Sequence, residues 1–456
     1  MEMQSRKSPL RHHLVVVPTY NVPVGRFFAS LCVVGIVYVF FIYHIVLPAS
    51  ISRNPPDYQD VMRFKRTLVV NESYYMYGSP TTDTCYLRDK LSSPELPDLH
   101  SVFSDPMSGE VIFVGLKLLK HRWHEGPFRC EFSDGQMSET KQILEDRQSF
   151  GHFPQYVVVL TCPIPEPFRW RVRFKINLRR LAANTTYVNL TVCTSGASPE
   201  KLYKLAICTM VKNSDSFIPE WLDYHRFVGV EHVFIYDNEL ETKTTLPESL
   251  TDYIENGFVT IIPWAHSVSR YKTYLEVQIA HENDCVWRYK HNVHWMVKID
   301  VDEYVQPMNE EKPYITDYLN SIIFNNVASV RIQNWFFGHP PNFTHDSDSI
   351  IERNCWRSEQ PTLQNTGHDK NILRPINVHY FKIHSVKLGG DVISADPYTE
   401  LRLVHYREDN PRARHFSLPT FSERDDSMVR IRNESLLWRE SRLSSSETEQ
   451  TLTTTN

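Results

Sequence analysis

From Lys201 to Val305, apolar runs alternate with helix-like segments, and this alternation constrains the fold more than any other feature of the chain. KLAICTMV is almost continuously apolar, as a strand buried on both faces must be. Asp215 or Ser216 can cap a helix that follows it through about Phe227, and Gly229 can end that helix. EHVFIYDN, a short helix from about Pro247 to Glu255, and FVTIIPW come next. A long helix from about Tyr271 to His291 carries Leu275, Ile279, Val286 and Tyr289 on one stripe. It leads into HWMVKIDVDEYV. Strands separated by helices imply crossover connections, so this half is an α/β unit with a largely parallel sheet. Further strands are expected in NVASVRIQNWFFG, NILRPINVHYFKIHSV and ELRLVHYRED, with a polar, aromatic segment from His339 to Gly367 among them.

The chain has 456 residues, enough for two or three domains. Upstream of Lys201 the pattern is different. VIFVGLKLL, FRCEF, YVVVLTCPI, WRVRFKINL and TYVNLTVC are rich in β-branched and aromatic residues and are separated by turn formers. They predict a small β-sandwich-like domain over residues 76–198, ahead of the α/β domain at 199–440. Its Trp123, Trp170 and Tyr187 could stack on sugar rings or fill its core. Phe27 to Leu47 is apolar for about 21 residues, long enough to cross a membrane. Residues 1–26 are basic and should stay cytosolic, which puts the C-terminal bulk in the lumen of a single-pass type II protein. A Pro-rich stem is expected at 48–75, and a disordered tail poor in apolar residues at 441–456.

Seven of the eight cysteines follow the apolar segment, with no CxxC pair among them, which suits disulfides better than zinc. Cys130 and Cys162 could staple two strands. The odd count leaves at least one thiol free, expected to be Cys208 inside its apolar strand. Asn-X-Ser/Thr sites at Asn71, Asn184, Asn189, Asn342 and Asn433 agree with a lumenal location. A net charge of −5 argues against general nucleic-acid binding, and no glycine-rich phosphate loop is present.

Open α/β sheets bind ligands beyond the carboxyl ends of their strands. Three such ends carry chemistry. The first offers Thr209, Lys212 and Asn213; the second Asp237 and Asn238; the fourth Asp300, Asp302 and Glu303. Asp300 and Asp302 stand two apart and can grip a hard cation such as Mn2+ or Mg2+. Glu303 points away by strand alternation and is kept as a supporting residue. A histidine from the C-terminal strands should complete the metal site, either His405 or His384. Asp237 suits a nucleotide, and Trp335, Phe336 and Phe337 could form a sugar platform.

KLAICTMVKN, WLDYHRFVGVEHVFIYDN, HWMVKIDVDEYV, WFFG, LRPINVHY and HYR occur in an order that resembles family 92 glycosyltransferases, over about Lys201 to Arg414. The resemblance implies a GT-A (Rossmann-like) fold, a UDP-sugar donor, a Mn2+-like cofactor and inverting transfer, commonly of galactose, to a glycan or glycoprotein acceptor in the Golgi. Within it, Asp300 and Asp302 match the DXD metal motif, His405 resembles the histidine that completes GT-A metal sites, and Asp237 resembles the acid that reads uridine. An inverting transfer needs a carboxylate base near the acceptor hydroxyl. Glu352 in IIERN and Asp369 in GHDKN are the two candidates. A lumenal metal-dependent hydrolase and a membrane-anchored, non-catalytic glycan-binding protein are the competing readings.

Overall fold

The computed structural model describes residues 91–93, 96–118, 127–144, 155–182, 185–197, 199–212, 216–240, 242–266, 274–340, 347–364, 367–406 and 420–453. The expected membrane segment 27–47, the stem 48–75, Trp123, Asn71, Asn184, Asn213 and Asn342 lie outside these residues. Among the described residues no helix is long and apolar enough to cross a membrane.

The first nine strands form one sheet. They are β1 (Leu91–Ser93), β2 (Leu96–Asp105), β3 (Glu110–Leu118), β4 (Phe128–Phe132), β5 (Met137–Glu139), β6 (Lys141–Leu144), β7 (Gln155–Pro163), β8 (Arg173–Arg180) and β9 (Thr185–Thr194). Their order is β5-β4-β8-β9-β2-β3-β7-β6, with β1 added to β2. In that order β4 and β7 are five strand spacings apart, roughly 24 Å in a flat sheet. Yet Cys130 of β4 is disulfide-bonded to Cys162 of β7, with Cα atoms 6.6 Å apart. The sheet therefore rolls over on itself and encloses Leu99, Val111, Phe113, Phe128, Leu160 and Phe168. Of the aromatic residues that could stack on sugars or fill the core, Tyr187 is core, with its hydroxyl donating to the Pro97 carbonyl, and Trp170 is exposed.

The second half contains β10 (Tyr203–Val211), α1 (Ile218–Phe227), β11 (His232–Asp237), α2 (Leu246–Ser249), α3 (Thr251–Glu255), β12 (Val259–Pro263), α4 (Tyr274–Tyr289) and β13 (Val293–Lys298). Strands β10 to β13 are all parallel, in the order β12-β11-β10-β13. The expected alternation is present. Gly229 takes a φ of 102° just beyond α1, which a glycine accepts without strain. The sheet continues through β18 (Lys370–Leu373), β15 (Val327–Ile332) and β21 (Asp391–Ser394).

A five-stranded sheet follows in the order β14-β22-β16-β17-β23. It comprises β14 (Glu303–Pro307), β22 (Leu401–Tyr406), β16 (Asn334–Gly338), β17 (Trp356–Ser358) and β23 (Phe421–Arg424). Thus NVASVRIQNWFFG is not one strand. It breaks at Gln333 and passes from one sheet to the other. A hairpin of β19 (Val378–Lys382) and β20 (Ser385–Gly389) and the short helices α5 (Ile315–Asn320) and α6 (Ile350–Arg353) complete this half. The last helix, α7 (Ser427–Thr453), runs on through most of the segment expected to be disordered.

Helix α4 explains how the two halves meet. It was expected to bury one stripe, but nearly its whole surface is buried. Ile279, Val286 and Trp287 share one apolar cluster with Phe103, Ile112, Val114 and Val157 of the rolled sheet and with Ala206, Phe234 and Met296 of the α/β sheet. Its polar residues close on partners: Asp284 accepts from the Tyr236 hydroxyl and pairs with Arg288, which also reaches Ser101. Leu275, assigned to the apolar stripe, is 39% exposed at the helix start. Cys285 is disulfide-bonded to Cys208 of β10, so Cys208 is not free; among the described residues Cys355 is a free thiol, and it is buried.

Candidate active site

The carboxyl ends of β10, β11 and β12 line up, with Val211 opposite Asp237 and Asp237 opposite Pro263. β13 ends at Lys298, and the chain turns through Asp300 and Asp302 before β14 begins at Glu303. That turn removes the basis for pointing Glu303 away. Side-chain alternation holds only along a continuous strand. Here Glu303 starts a new strand, is almost wholly buried, and accepts the Asp300 backbone N–H at 2.8 Å.

Antiparallel pairing of β14 with β22 sets Glu303 opposite His405. One donor atom from each of Asp302, Glu303 and His405 lies within 4.8 Å of the others. His405 Nε2 is 3.5 Å from Asp302 Oδ2, and Nδ1 is 3.4 Å from Glu303 Oε1. Parallel pairing of β16 with β22 brings up Asn334, whose Oδ1 is 3.2 Å from His405 Nδ1. Two carboxylates and an imidazole at this spacing fit a divalent cation.

Asp300 is placed differently from expectation. Its carboxylate, 48% exposed, accepts from Lys370 Nζ at 2.7 Å, and the same ammonium lies 3.0 Å from Glu303 Oε2. Lys370 is buried at the start of β18, beside β13 in the sheet. Burial works against its charge, but Asp300 and Glu303 hold its pKa well above the ordinary lysine value. For Glu303 burial dominates and raises the pKa, with Lys370 acting against it. Behind Lys370 lie Lys298 and Glu282. Burial draws Lys298 down to about 8 and pushes Glu282 up to about 7, and their mutual attraction opposes both shifts. Thr209 borders the same buried pocket, with its hydroxyl lacking a hydrogen-bond partner. No local pattern marks Lys370 or Lys298 in the sequence. Only the adjacency of β13 and β18, 70 residues apart at the ion pair, brings them in.

The other expected residues are spread along this edge. Asp237 is buried and accepts from the Glu239 N–H and the Thr244 hydroxyl; Asn238 accepts from the His266 N–H at 3.1 Å. Lys212 is exposed just past β10. His384 contacts the Asp369 carbonyl at 2.8 Å, and burial together with Lys370 lowers its pKa to about 4. Asp369 is buried next to Lys370, and its carboxylate faces the Asn334 N–H at 3.4 Å. Glu352 is held elsewhere. Its carboxylate pairs with Arg432 of α7 at 2.7 Å and accepts from Ser347, while Arg432 also clamps Glu220 of α1. Trp335, Phe336 and Phe337 are buried, so none of them offers an open ring face. Asn189 and Asn433 are exposed.

An acid-rich turn beyond a parallel sheet, with a histidine opposite it, is compatible with a bound divalent cation. The family model of glycosyltransferase family 92 matches residues 203–446, just over half of the chain, and the protein belongs to that family. A glycosyltransferase family 92 protein of Ricinus communis is 34% identical over 154 residues, covering 33% of this chain and 25% of the relative. A beta-1,4-galactosyltransferase of Caenorhabditis elegans is 20% identical over 219 residues, covering 46% of this chain and 51% of that protein. A galactan beta-1,4-galactosyltransferase of Arabidopsis thaliana is 34% identical over 92 residues, covering 19% and 17%. The matched segments span about half or less of these relatives' lengths.

Proposed function

We propose that the protein is a metal-dependent inverting glycosyltransferase that moves galactose from UDP-galactose to a glycan or glycoprotein acceptor. The observation that carries the reading is the Asp302–Glu303–His405 cluster at the carboxyl edge of the sheet, in a family 92 chain. These three residues would hold the ion, and the imidazole among them favours Mn2+ over Mg2+. When bound, the metal supplies Lewis-acid neutralisation of the leaving diphosphate. Lys370 keeps Asp300 and Glu303 from repelling one another. Asn334 orients the His405 ring, and Asp369 supports the Asn334 backbone. Asp237 and Asn238, at the end of β11, would meet the nucleoside, with Thr209 and Lys212 at the end of β10 between them and the acidic turn; Asn213, the remaining candidate, lies outside the described residues. Glu352 could serve as general base only by giving up its pair with Arg432.

The Cys130–Cys162 and Cys208–Cys285 bridges support an oxidising compartment, consistent with a lumenal Golgi enzyme anchored through residues 27–47. The decisive assay is UDP release from UDP-galactose by the full chain, in Mn2+ and in EDTA. Release should need Mn2+ and rise when a galactosylated glycan is added. Asp302→Asn should lower it by at least about 10- to 100-fold. Undiminished release by that variant would refute the metal assignment. Transfer from a different UDP-sugar alone would refute the donor.

A further inference from the structure

The five-stranded sheet that carries His405 has a second face. Side chains alternate along β16 and β22, so Asn334, Phe336 and His405 point to the acidic cluster while Trp335 and Arg402 point the other way. On that far side lies a cleft of about 530 Å3, lined by Trp335, Arg357, Gln360, Tyr398, Arg402 and the carboxylates of Glu359, Glu423 and Asp425. The size falls within the roughly 300–1,000 Å3 of ligand sites.

The cleft is firmly built. Trp335 forms its floor, buried, with the indole N–H donating to the Ser358 carbonyl at 2.7 Å. Arg357 and Arg402 lie over the Trp335 ring at 4.7 and 5.3 Å. Tyr398 stands edge-on to Trp335, with centroids 5.2 Å apart and planes at 78°. Its hydroxyl donates to Gln360 Oε1 at 2.8 Å, and its backbone N–H donates to Asp396 at 2.7 Å. The ring is thus held upright although the residue is 54% exposed. It keeps a fixed apolar face toward solvent beside the cleft.

The charges say what could occupy the cleft. Arg357 and Arg402 both pair with Asp425, at 3.1 and 2.9 Å, so each guanidinium already has a carboxylate partner. Three carboxylates, Glu359, Glu423 and Asp425, face two guanidiniums, and an anion is disfavoured. A ligand with an apolar face for Tyr398 and many hydroxyls for the carboxylates and Gln360 is an uncharged saccharide. We propose that this cleft is a second saccharide-binding site, separated from the acidic cluster by the thickness of one sheet, and independent of metal and nucleotide.

The test is saturation-transfer NMR on the full chain in EDTA, without nucleotide, using β-1,4-galactotetraose, cellotetraose and a heparin tetrasaccharide as probes. At least one neutral tetrasaccharide should bind. Tyr398→Ala should weaken it about tenfold, and Tyr398→Phe, which keeps the ring, should retain most of the binding. Glu423→Gln provides a second variant on an exposed side chain. Mn2+-dependent UDP binding should be the same in all three variants. No binding of either neutral probe, tighter binding of the heparin fragment, or equal binding by Tyr398→Ala would each overturn the proposal. Because the assay contains neither donor nor metal, its failure leaves the transferase reading standing, and loss of transferase activity would leave this site standing.

Discussion

At the residue scale, Lys370 is the side chain on which the acidic turn depends. Its ammonium touches both Asp300 and Glu303. Removing one partner of a buried ion pair leaves uncompensated charge, which costs about 3–5 kcal/mol. Lys370→Met should therefore lower stability by that amount in urea denaturation. A divalent cation can replace the lost positive charge, so Mn2+ should restore part of the loss in the variant and raise the wild type less. Equal stabilisation of both proteins by Mn2+ would mean that Lys370 does not stand in for the ion. Glu303 makes the complementary point. Its sequence position suggested a side chain facing away, and the turn at Asp300–Asp302 reversed that.

At the element scale, helix α4 holds the most consequence. Its buried polar face would be costly if unpaired, but Asp284, Arg288 and Asn283 each find a partner across an element boundary. The Cys208–Cys285 bridge ties this helix to β10, across 77 residues of chain. Replacing both cysteines with alanine should cost about 2–5 kcal/mol in urea denaturation under oxidising conditions. If the double variant matched the wild type in stability, the bridge would have no role in anchoring α4. Under reducing conditions the difference should shrink, because both proteins then lack the bond.

At the scale of the whole molecule, the rolled sheet and the α/β half meet through the shared core around α4 and through Asp105 at the end of β2. Asp105 pairs with His291 at 3.1 Å and Lys290 at 3.5 Å, just past α4. Burial opposes its charge, but the hydrogen bonds from His291 and Ser108 and the charge of Lys290 bring its pKa down to about 2. A carboxylate depressed in the folded state contributes stability that is present above its ordinary value of 3.8 and lost as pH falls toward 2. The shift corresponds to about 2 kcal/mol. Asp105→Asn should lose that much at neutral pH and show a flatter stability profile between pH 4 and 2, read from thermal melting. An unchanged acid slope would place the titrating group elsewhere.

The parallel strands, the helices between them and the acidic turn were legible from periodicity, because a strand buried on both faces and an amphipathic helix leave different repeats in a chain. The Cys130–Cys162 staple was legible from the two strands that carry the cysteines, and of the two candidate histidines, His405 and His384, it is His405 that lies against Asp302. What the periodicity could not carry was set by contacts distant in sequence. Lys370 meets Asp300 only because β18 pairs beside β13. Glu303 turns inward only because the strand breaks, and Cys208 finds Cys285 only because α4 packs on β10. Local propensity and patterning act over a few residues, so the sequence alone determined the elements and the class of chemistry. Strand order and packing decided which charges share a site, because Coulomb attraction and burial depend on distance in space rather than along the chain.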